Sequence, residues 1–159
     1  MLKNLKKKAK YIIDTTNVTE KELKKIIEEK MSMDENDMLV NFMSFGYKYG
    51  LPKDVDLLFD VRLLPNPYYV EELRKETGLK KEVSDYVYEN EEAQNYYQET
   101  VRYLEYLLPM YEKEGRKQFI VGIGCTGGKH RSVATTEKIK DFFAGKYKVV
   151  VSHRDLGRE

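Results

Sequence analysis

Three observations in the sequence predict an α/β layered fold with a small, largely parallel sheet flanked by helices. Short apolar runs rich in β-branched residues alternate along the chain with longer segments of helical periodicity, which is typical of strands joined by crossover helices. A glycine-rich stretch, Gly124–Gly128, stands between one such run and a helical segment. Apolar residues make up 41% of the 159 residues, which suffices for a packed core.

The first 37 residues are predicted to form a separate piece. Tyr11–Thr15 has the composition of a short strand, and Thr19 with Glu22 has the spacing of a capping box that opens a helix from Glu20 to about Met31. The polar segment Met31–Asp37 is predicted to be a linker. Since one strand and one helix cannot bury a core alone, we expect this piece to pack against something else.

The main domain is predicted to span residues 38–159 and to alternate strands with helices. Strands are expected at Met38–Phe45, Leu57–Val61, Phe119–Ile123 and Tyr147–Val151. Helices are expected at Val70–Glu76, Lys81–Tyr88, Glu91–Glu114 and Val133–Phe143. The longest of these helices carries a stripe at helical spacing, which indicates a core-facing side rather than a cofactor site: Tyr97, Val101, Leu104, Leu108 and Tyr111. We expect Gly115 to end this helix.

The segment Gln118–Ser132, QFIVGIGCTGGKHRS, is predicted to be a strand, a glycine-rich turn and the start of a helix. This layout is typical of phosphate-binding loops, because the first amides of the helix and its dipole attract an anion. The consecutive side chains of Lys129, His130 and Arg131 strengthen that attraction. We therefore predict that an anion binds over the N–H groups of Thr126, Gly127, Gly128, Lys129 and His130, with Arg131 nearby.

Polar or special residues follow all four predicted main-domain strands, which suggests one composite site. They are Lys48, then Asp60 with Arg62, then the glycine loop, then His153 with Arg154. In parallel sheets, ligands bind beyond the carboxyl ends of the strands.

Each side chain of that site admits more than one role. Arg62 and Arg131 are suited to paired hydrogen bonds with a phosphate. Asp60 would accept hydrogen bonds from a sugar hydroxyl or an amine, act as a general acid or base, or pair with an arginine. His130 would donate to an oxyanion or bind backbone at the helix start. For His153 we expect a solvated side chain.

The spacing Cys125-x5-Arg131-Ser132 offers a second interpretation, because it resembles the loop of cysteine-dependent phosphatases. A thiolate at a helix N-terminus among cations would be an activated nucleophile. In this alternative the catalytic residues are Cys125, Arg131 and Asp60. Gly124 stands where that family has a histidine. The single cysteine excludes a disulfide framework, and the absence of paired Cys/His spacings leads us to expect no metal site.

The formal net charge is +1, but the charges are unevenly distributed. From Lys113 to Arg158 there are eleven Lys/Arg and four Asp/Glu, whereas Glu71–Glu99 has nine acids and four bases. The C-terminal part is therefore predicted to attract phosphates or nucleic acid. No apolar run approaches the length of a membrane span, and the lysine-rich Met1–Lys10 lacks the apolar core of a secretory signal, so we expect a cytoplasmic protein.

Several segments, in order and spacing, resemble the C-terminal domain of the RapZ/YvcJ family of bacterial nucleotide-binding proteins, some of which are RNase adaptors. They are FGYKYGLP (Phe45–Pro52), LFDVRLLPNPYY (Leu58–Tyr69), TGL (Thr77–Leu79), GCTGGKHRSV (Gly124–Val133) and SHRDL (Ser152–Leu156). YIIDTTNVTEKEL resembles the last strand and helix of that family's N-terminal P-loop domain, whose ATP- or GTP-binding motif is missing here. We therefore expect residues 1–37 to be the end of that domain plus a linker, and the fragment to be non-catalytic and to need no cofactor.

The resemblance implies a phosphofructokinase-subdomain-like fold, a regulatory role and a homo-oligomer. It also implies binding of a small regulatory RNA and of glucosamine-6-phosphate, the latter at Asp60, Arg62, Thr126, Gly127, Gly128, His130, Arg131 and Ser132. The expected RNA contacts are Lys146, Lys148, Arg154 and Arg158. Two positions depart from the adaptor members: Tyr68 replaces a histidine, and Gly157-Arg158-Glu159 replaces a basic tail.

Overall fold

In the computed structural model, which describes residues 12–31 and 37–158, a four-stranded parallel sheet is flanked by helices. The strands are β1 (Leu39–Gly46), β2 (Leu57–Asp60), β3 (Gln118–Cys125) and β4 (Lys148–His153). Their order in the sheet is β2-β3-β1-β4, and every pairing is parallel. The predicted fold class is therefore confirmed. Because the strands are parallel, their carboxyl ends lie at the same edge of the sheet, where Gly46 pairs with Cys125 and Asp60 with Gly124.

The helices lie close to their predicted positions. They are α1 (Glu20–Met31), α2 (Glu71–Arg74), α3 (Lys81–Val87), α4 (Glu91–Lys113) and α5 (Arg131–Phe143), with 3-10 turns at Tyr47–Tyr49 and Pro67–Tyr69. The predicted capping box opens α1: the Thr19 amide donates to Glu22 Oε2 (2.8 Å) and the Glu22 amide to Thr19 Oγ1 (3.3 Å). Among the described residues, no helix is long and apolar enough to cross a membrane.

The core lies between the sheet and the helices α4 and α5. The predicted stripe of α4 faces it: Val101, Leu104 and Leu108 are buried, and Tyr97 and Tyr111 pack against its edge. Tyr111 meets Phe119 of β3 at 4.7 Å between ring centroids, and Phe143 of α5 meets Phe42 of β1 at 5.7 Å. Removing these apolar surfaces from water is the main stabilisation of the domain.

The helix α4 ends just before Gly115, which terminates it as predicted. Gly115 has φ +80, and its amide donates to the Glu112 carbonyl at 3.0 Å. The Arg116 amide donates to the Tyr111 carbonyl at 3.1 Å, which completes the paired bonds of a Schellman motif. The helix therefore stops where the chain must turn into β3.

The predicted N-terminal strand is wrong for residues 12–15, which belong to no strand, while Tyr11 lies outside the described residues. The Ile12 amide donates to Gln118 Oε1 at 3.0 Å, and Gln118 Nε2 donates to the Ile12 carbonyl at 3.2 Å. A side-chain amide thus takes the place of a neighbouring strand's backbone, so no ladder develops. Most of the predicted linker, residues 32–36, also lies outside the described part of the chain.

Candidate functional site

The loop between β3 and α5 is shaped by its close crossing with the end of β1. Gly128 has φ +74, and a Cβ there would lie 2.8 Å from the Gly46 amide nitrogen. A Cβ on Gly46 would lie 2.6 Å from the Gly127 carbonyl carbon. Glycine is therefore required on both sides, because any larger residue would push the two backbones apart.

Arg131, the first residue of α5, places a cation at the side of this loop. Its guanidinium donates to the Arg62 carbonyl (2.5 Å) and to Thr126 Oγ1 (3.3 Å). Burial lowers the pKa of Arg131, and nearby Cys125, Tyr69 and Asp60 oppose that shift. An arginine keeps its proton in proteins, so the group stays charged. His130, at the N-cap, makes no side-chain capping bond to the first turn of α5.

Two further cations reach the loop from neighbouring strand ends. Arg62, after β2, forms an ion pair with Asp60 (Nη2–Oδ2, 2.6 Å) and stacks on the Tyr47 ring at 4.1 Å. Lys48, after β1, donates its amide to the Thr126 carbonyl (3.1 Å), and a Cβ on Gly127 would lie 3.9 Å from its Nζ. Lys48 and Arg131 therefore lie beside Gly127 and Thr126, whereas Arg62 is held by Asp60 and Tyr47 near Arg131.

Asp60 forms the ion pair with Arg62, which is one of the roles that the sequence left open for it. The hydrogen bonds from Arg62 hold the pKa of Asp60 below its usual value. The carboxylate is therefore ionised at neutral pH and leaves Arg62 partly neutralised. With the pair broken, both groups would be available to a ligand that carries a phosphate and a hydrogen-bond donor.

His130 and Ser132 are turned away from the open side of the loop. His130 is 8% exposed, and its Nε2 donates to the Arg74 carbonyl at 3.2 Å. Burial, together with Lys129, lowers the pKa of His130, so it is neutral at pH 7. Ser132 is fully buried, and its Oγ lies 3.1 Å from the Cys125 thiol. Lys129 is half-buried, and its carbonyl accepts the Gly78 amide at 2.9 Å.

The end of β4 does not contribute to the same cluster. The prediction of a solvated His153 is wrong: the side chain is 14% exposed, its Nε2 donates to Glu137 Oε1 (3.0 Å), and its Nδ1 lies 2.8 Å from Ser44 Oγ. Arg154 Nη2 donates to the Gly50 carbonyl (2.7 Å) and to Asp155 Oδ2 (2.6 Å). The residues at the end of β4 therefore support the neighbouring backbone and do not belong to the cluster around the glycine loop.

Asp155 is the functional residue that sequence reasoning missed. Its side chain is fully buried and accepts hydrogen bonds from the Gly46 amide (2.8 Å), Arg154 and Arg158 (3.1 Å). It thus holds the point where β1 crosses the glycine loop. The signal that could have found it is its position two residues after the last strand, beside His153, Arg154 and Arg158, which is unusual for a solvated tail.

The four predicted RNA contacts differ in their availability. Arg154 and Arg158 are paired with Asp155 as above, and Lys146 forms an ion pair with Glu105 (2.5 Å). Lys148 is exposed on the edge strand β4. Within residues 12–31 and 37–158, no group of three or more metal-ligating side chains is found.

A separate cavity of about 370 Å³ lies away from the glycine loop. It is bounded on one side by residues between Ile12 and Ile26, and on the other by the sheet face opposite α4 and α5, including Asn41, Met43 and Val150. Around the glycine loop, by contrast, Lys48, Arg62 and Thr126 are exposed at the strand ends, whereas Arg131 is 6% exposed.

Comparison with known proteins identifies relatives over almost the whole chain. A family model described as the RapZ C-terminal domain matches residues 38–157. A nucleotide-binding protein of Geobacillus kaustophilus is 48% identical over 159 residues, and one of Lactiplantibacillus plantarum is 47% identical over 157 residues. These alignments cover 99% and 98% of this chain but 53% of each relative. The chain therefore spans about half the length of the relatives it matches.

Proposed function

The chain belongs to the RapZ C-terminal domain family, as its resemblance predicted, and on that basis we propose that it is a regulatory domain that binds a phosphorylated small molecule such as glucosamine-6-phosphate. The observation that carries this proposal is the grouping of three cations from three strand ends beside the glycine loop: Lys48 lies near Gly127, the Arg131 guanidinium donates to Thr126, and Arg62 is close enough to Arg131 to lower its pKa. Amides at a helix start and converging cations are the usual phosphate-binding groups.

Binding would begin with the phosphate at the loop amides and the Arg131 guanidinium. Arg62 would then exchange part of its contact with Asp60 for the phosphate, which frees Asp60 Oδ atoms to accept from a hydroxyl or an amino group of the ligand. A phosphosugar with an amino group supplies both partners. This accounts for an acidic residue within an otherwise cationic site.

Isothermal titration calorimetry of the 159-residue chain with glucosamine-6-phosphate, glucosamine and inorganic phosphate tests the proposal. Arg62→Ala should weaken binding of the two phosphate-containing compounds by about tenfold or more, because a charge-assisted bond contributes about 1.5–3 kcal/mol. Arg102→Ala is the matched control, because Arg102 is 80% exposed on α4 with only a loose ion pair to Glu99. Equal affinity of glucosamine with and without its phosphate would contradict the proposal.

The second candidate, a cysteine-dependent phosphatase, is favoured by one specific contact. Cys125 Sγ accepts the Gly128 amide at 3.3 Å and lies 3.1 Å from Ser132 Oγ, as a stabilised thiolate would require. Against it, Cys125 is 3% exposed. A Cβ on Gly124 would collide with the Phe45 ring and lie 2.6 Å from Tyr47, so the histidine of that family has no room. Hydrolysis of an aryl phosphate that is abolished in Cys125→Ser would establish the enzyme.

A further inference from the structure

The helix α4 carries a second apolar stripe on the side opposite the core. Besides the buried stripe described above, it has three large side chains directed to solvent: Tyr106 is 69% exposed, Met110 is 50% exposed and Tyr103 is 47% exposed. These positions are spaced by three and four residues, so they are neighbours on one face of the helix. A contiguous apolar patch that charged residues flank is typical of a protein–protein contact site.

Charged residues continue this apolar patch at both of its ends. Glu99 lies two helical turns before Tyr106, and Lys113 lies two turns after it, both on the same outward face. Both side chains are exposed, and Glu99 has only a loose ion pair with Arg102, at 3.8 Å. Pro109 lies within this length, and α4 remains one helix there. The outer stripe of α4 therefore consists of Glu99, Tyr103, Tyr106, Met110 and Lys113.

The order of groups along the outer stripe is complementary to itself when two copies of α4 pack antiparallel. A twofold axis at Tyr106 places Glu99 against Lys113 of the partner subunit, and symmetry repeats this contact. The same axis brings Tyr103 beside Met110 of the partner subunit, and sulfur–aromatic contacts are favourable. Parallel packing would instead place like charges against each other, which is unfavourable. The charges thus select one orientation.

We propose that the outer stripe of α4 is the contact surface of a symmetric, antiparallel dimer of this chain. The resemblance implies a homo-oligomer but names no surface, whereas the stripe gives the face, the symmetry and the paired residues. The inference is independent of the proposed phosphate site, which lies at the strand ends. A single helix pair buries less than the about 1,600 Å² of a standard interface, so we expect the dimer to dissociate in the micromolar range.

Sedimentation equilibrium of the 159-residue chain measures dimerisation directly. Tyr106→Asp should abolish the dimer, because it brings two carboxylates together at the twofold axis. Tyr69→Asp is the matched control, since Tyr69 is 78% exposed and lies outside α4, and this variant should dimerise like the unaltered protein. A chain that stays monomeric up to millimolar concentration, or a dimer that Tyr106→Asp does not weaken, would overturn the inference.

Charge reversal tests the antiparallel arrangement. Glu99→Lys and Lys113→Glu should each raise the dissociation constant by about tenfold, because symmetry turns two exposed ion pairs into two repulsive contacts. The double variant Glu99→Lys/Lys113→Glu should restore the affinity, and so should an equal mixture of the two single variants. Glu112→Lys makes the same change of charge at an exposed position on another side of α4, and should have little effect.

The double variant decides between the antiparallel arrangement and a general effect of charge. If it dimerises no better than the single variants, the antiparallel dimer is overturned. High salt should reduce the differences between the charge variants and leave the effect of Tyr106→Asp, because salt screens exposed ion pairs. Charge variants whose effects are independent of salt would contradict the proposed pairing. The altered side chains are exposed, so circular dichroism should show the same helix content in every variant.

Discussion

At the scale of single residues, Asp155 is a buried charge on which the site depends. We expect Asp155→Ala to lower the free energy of unfolding by about 3 kcal/mol, because removing one partner of a buried ion pair leaves the other uncompensated. Asp85→Ala is the control, since its ion pair with Lys81 is 61% and 82% exposed, and such pairs contribute about 1 kcal/mol or less. Urea denaturation measures both, and decreases of equal size would contradict a special role for Asp155.

The two histidines of the chain give a second residue-scale prediction, on pH. Burial lowers the pKa of His130 and His153 below the usual 6.5. Below pH 6.5 the unfolded chain therefore binds protons that the folded protein does not. Stability should be full above about pH 7 and decline as pH falls from about 6.5 towards the lowered pKa values.

Denaturation midpoints between about pH 5 and 8 measure this decline. His153→Gln, which keeps hydrogen-bonding capacity but does not titrate, should reduce the slope, and the double variant with His130→Gln should reduce it further. The contact with Glu137 raises the pKa of His153 and so opposes the effect of burial. The contribution of His153 to the pH dependence of stability therefore depends on that contact. If the double variant shows the same change of stability with pH as the unaltered protein, the pH dependence belongs to carboxylates rather than to the histidines.

At the scale of elements, the crossing of β1 with the glycine loop is the feature that positions the site. We expect Gly46→Ala to lower stability by about 1–3 kcal/mol, because an added methyl in a close-packed region forces backbone shifts. The same shift should weaken phosphate binding. Gly145→Ala is the matched control: it has open space around its Cβ position and no positive φ. Calorimetry and denaturation of both variants test this, and phosphate affinity preserved in Gly46→Ala would refute the coupling.

The helices and strands show which parts of the structure can be predicted from sequence periodicity. The capping box at Thr19, the stripe on α4 and the stop at Gly115 are local signals, and each is confirmed. Ile12–Thr15 is misassigned because its partner is the side chain of Gln118, 106 positions away, which local pattern cannot reveal. The roles of Arg154 and Asp155 escaped for the same reason: their burial depends on the backbone of Gly46 and Gly50, which sheet order brings to them. The site side chains remain predictions, although the structure groups Arg62, Arg131 and Thr126 as expected.

At the scale of the whole molecule, the surplus of positive charge predicts RNA binding that is weak and sensitive to salt. Lys148 is exposed, whereas Lys146 must give up its pair with Glu105. We expect the double variant Lys146→Ala/Lys148→Ala to weaken binding and to reduce the salt slope by about 1 for each phosphate that a lysine no longer neutralises. Association of subunits, which the resemblance implies, would strengthen binding by joining several patches.

Fluorescence anisotropy with a structured RNA at low and at high salt measures this effect. Lys81→Ala provides the comparison, because Lys81 is 82% exposed within the acidic region of the chain. Binding that ignores salt and both variants would eliminate the C-terminal patch. The absence of binding at low salt would mean that this domain does not bind RNA on its own.

The position of β1 in the middle of the sheet has a consequence for how the domain is made. Leu39 pairs with Gln118 on one side and with Lys148 on the other, so β1 leaves the ribosome long before either of its neighbours has been synthesised. The sheet edge beside β1 is covered only once β4 has followed. Parallel pairings of such long range slow folding to about the millisecond-to-second range. We therefore expect stopped-flow refolding in that range, and a chain truncated before Lys148 to stay bound to a chaperone rather than fold.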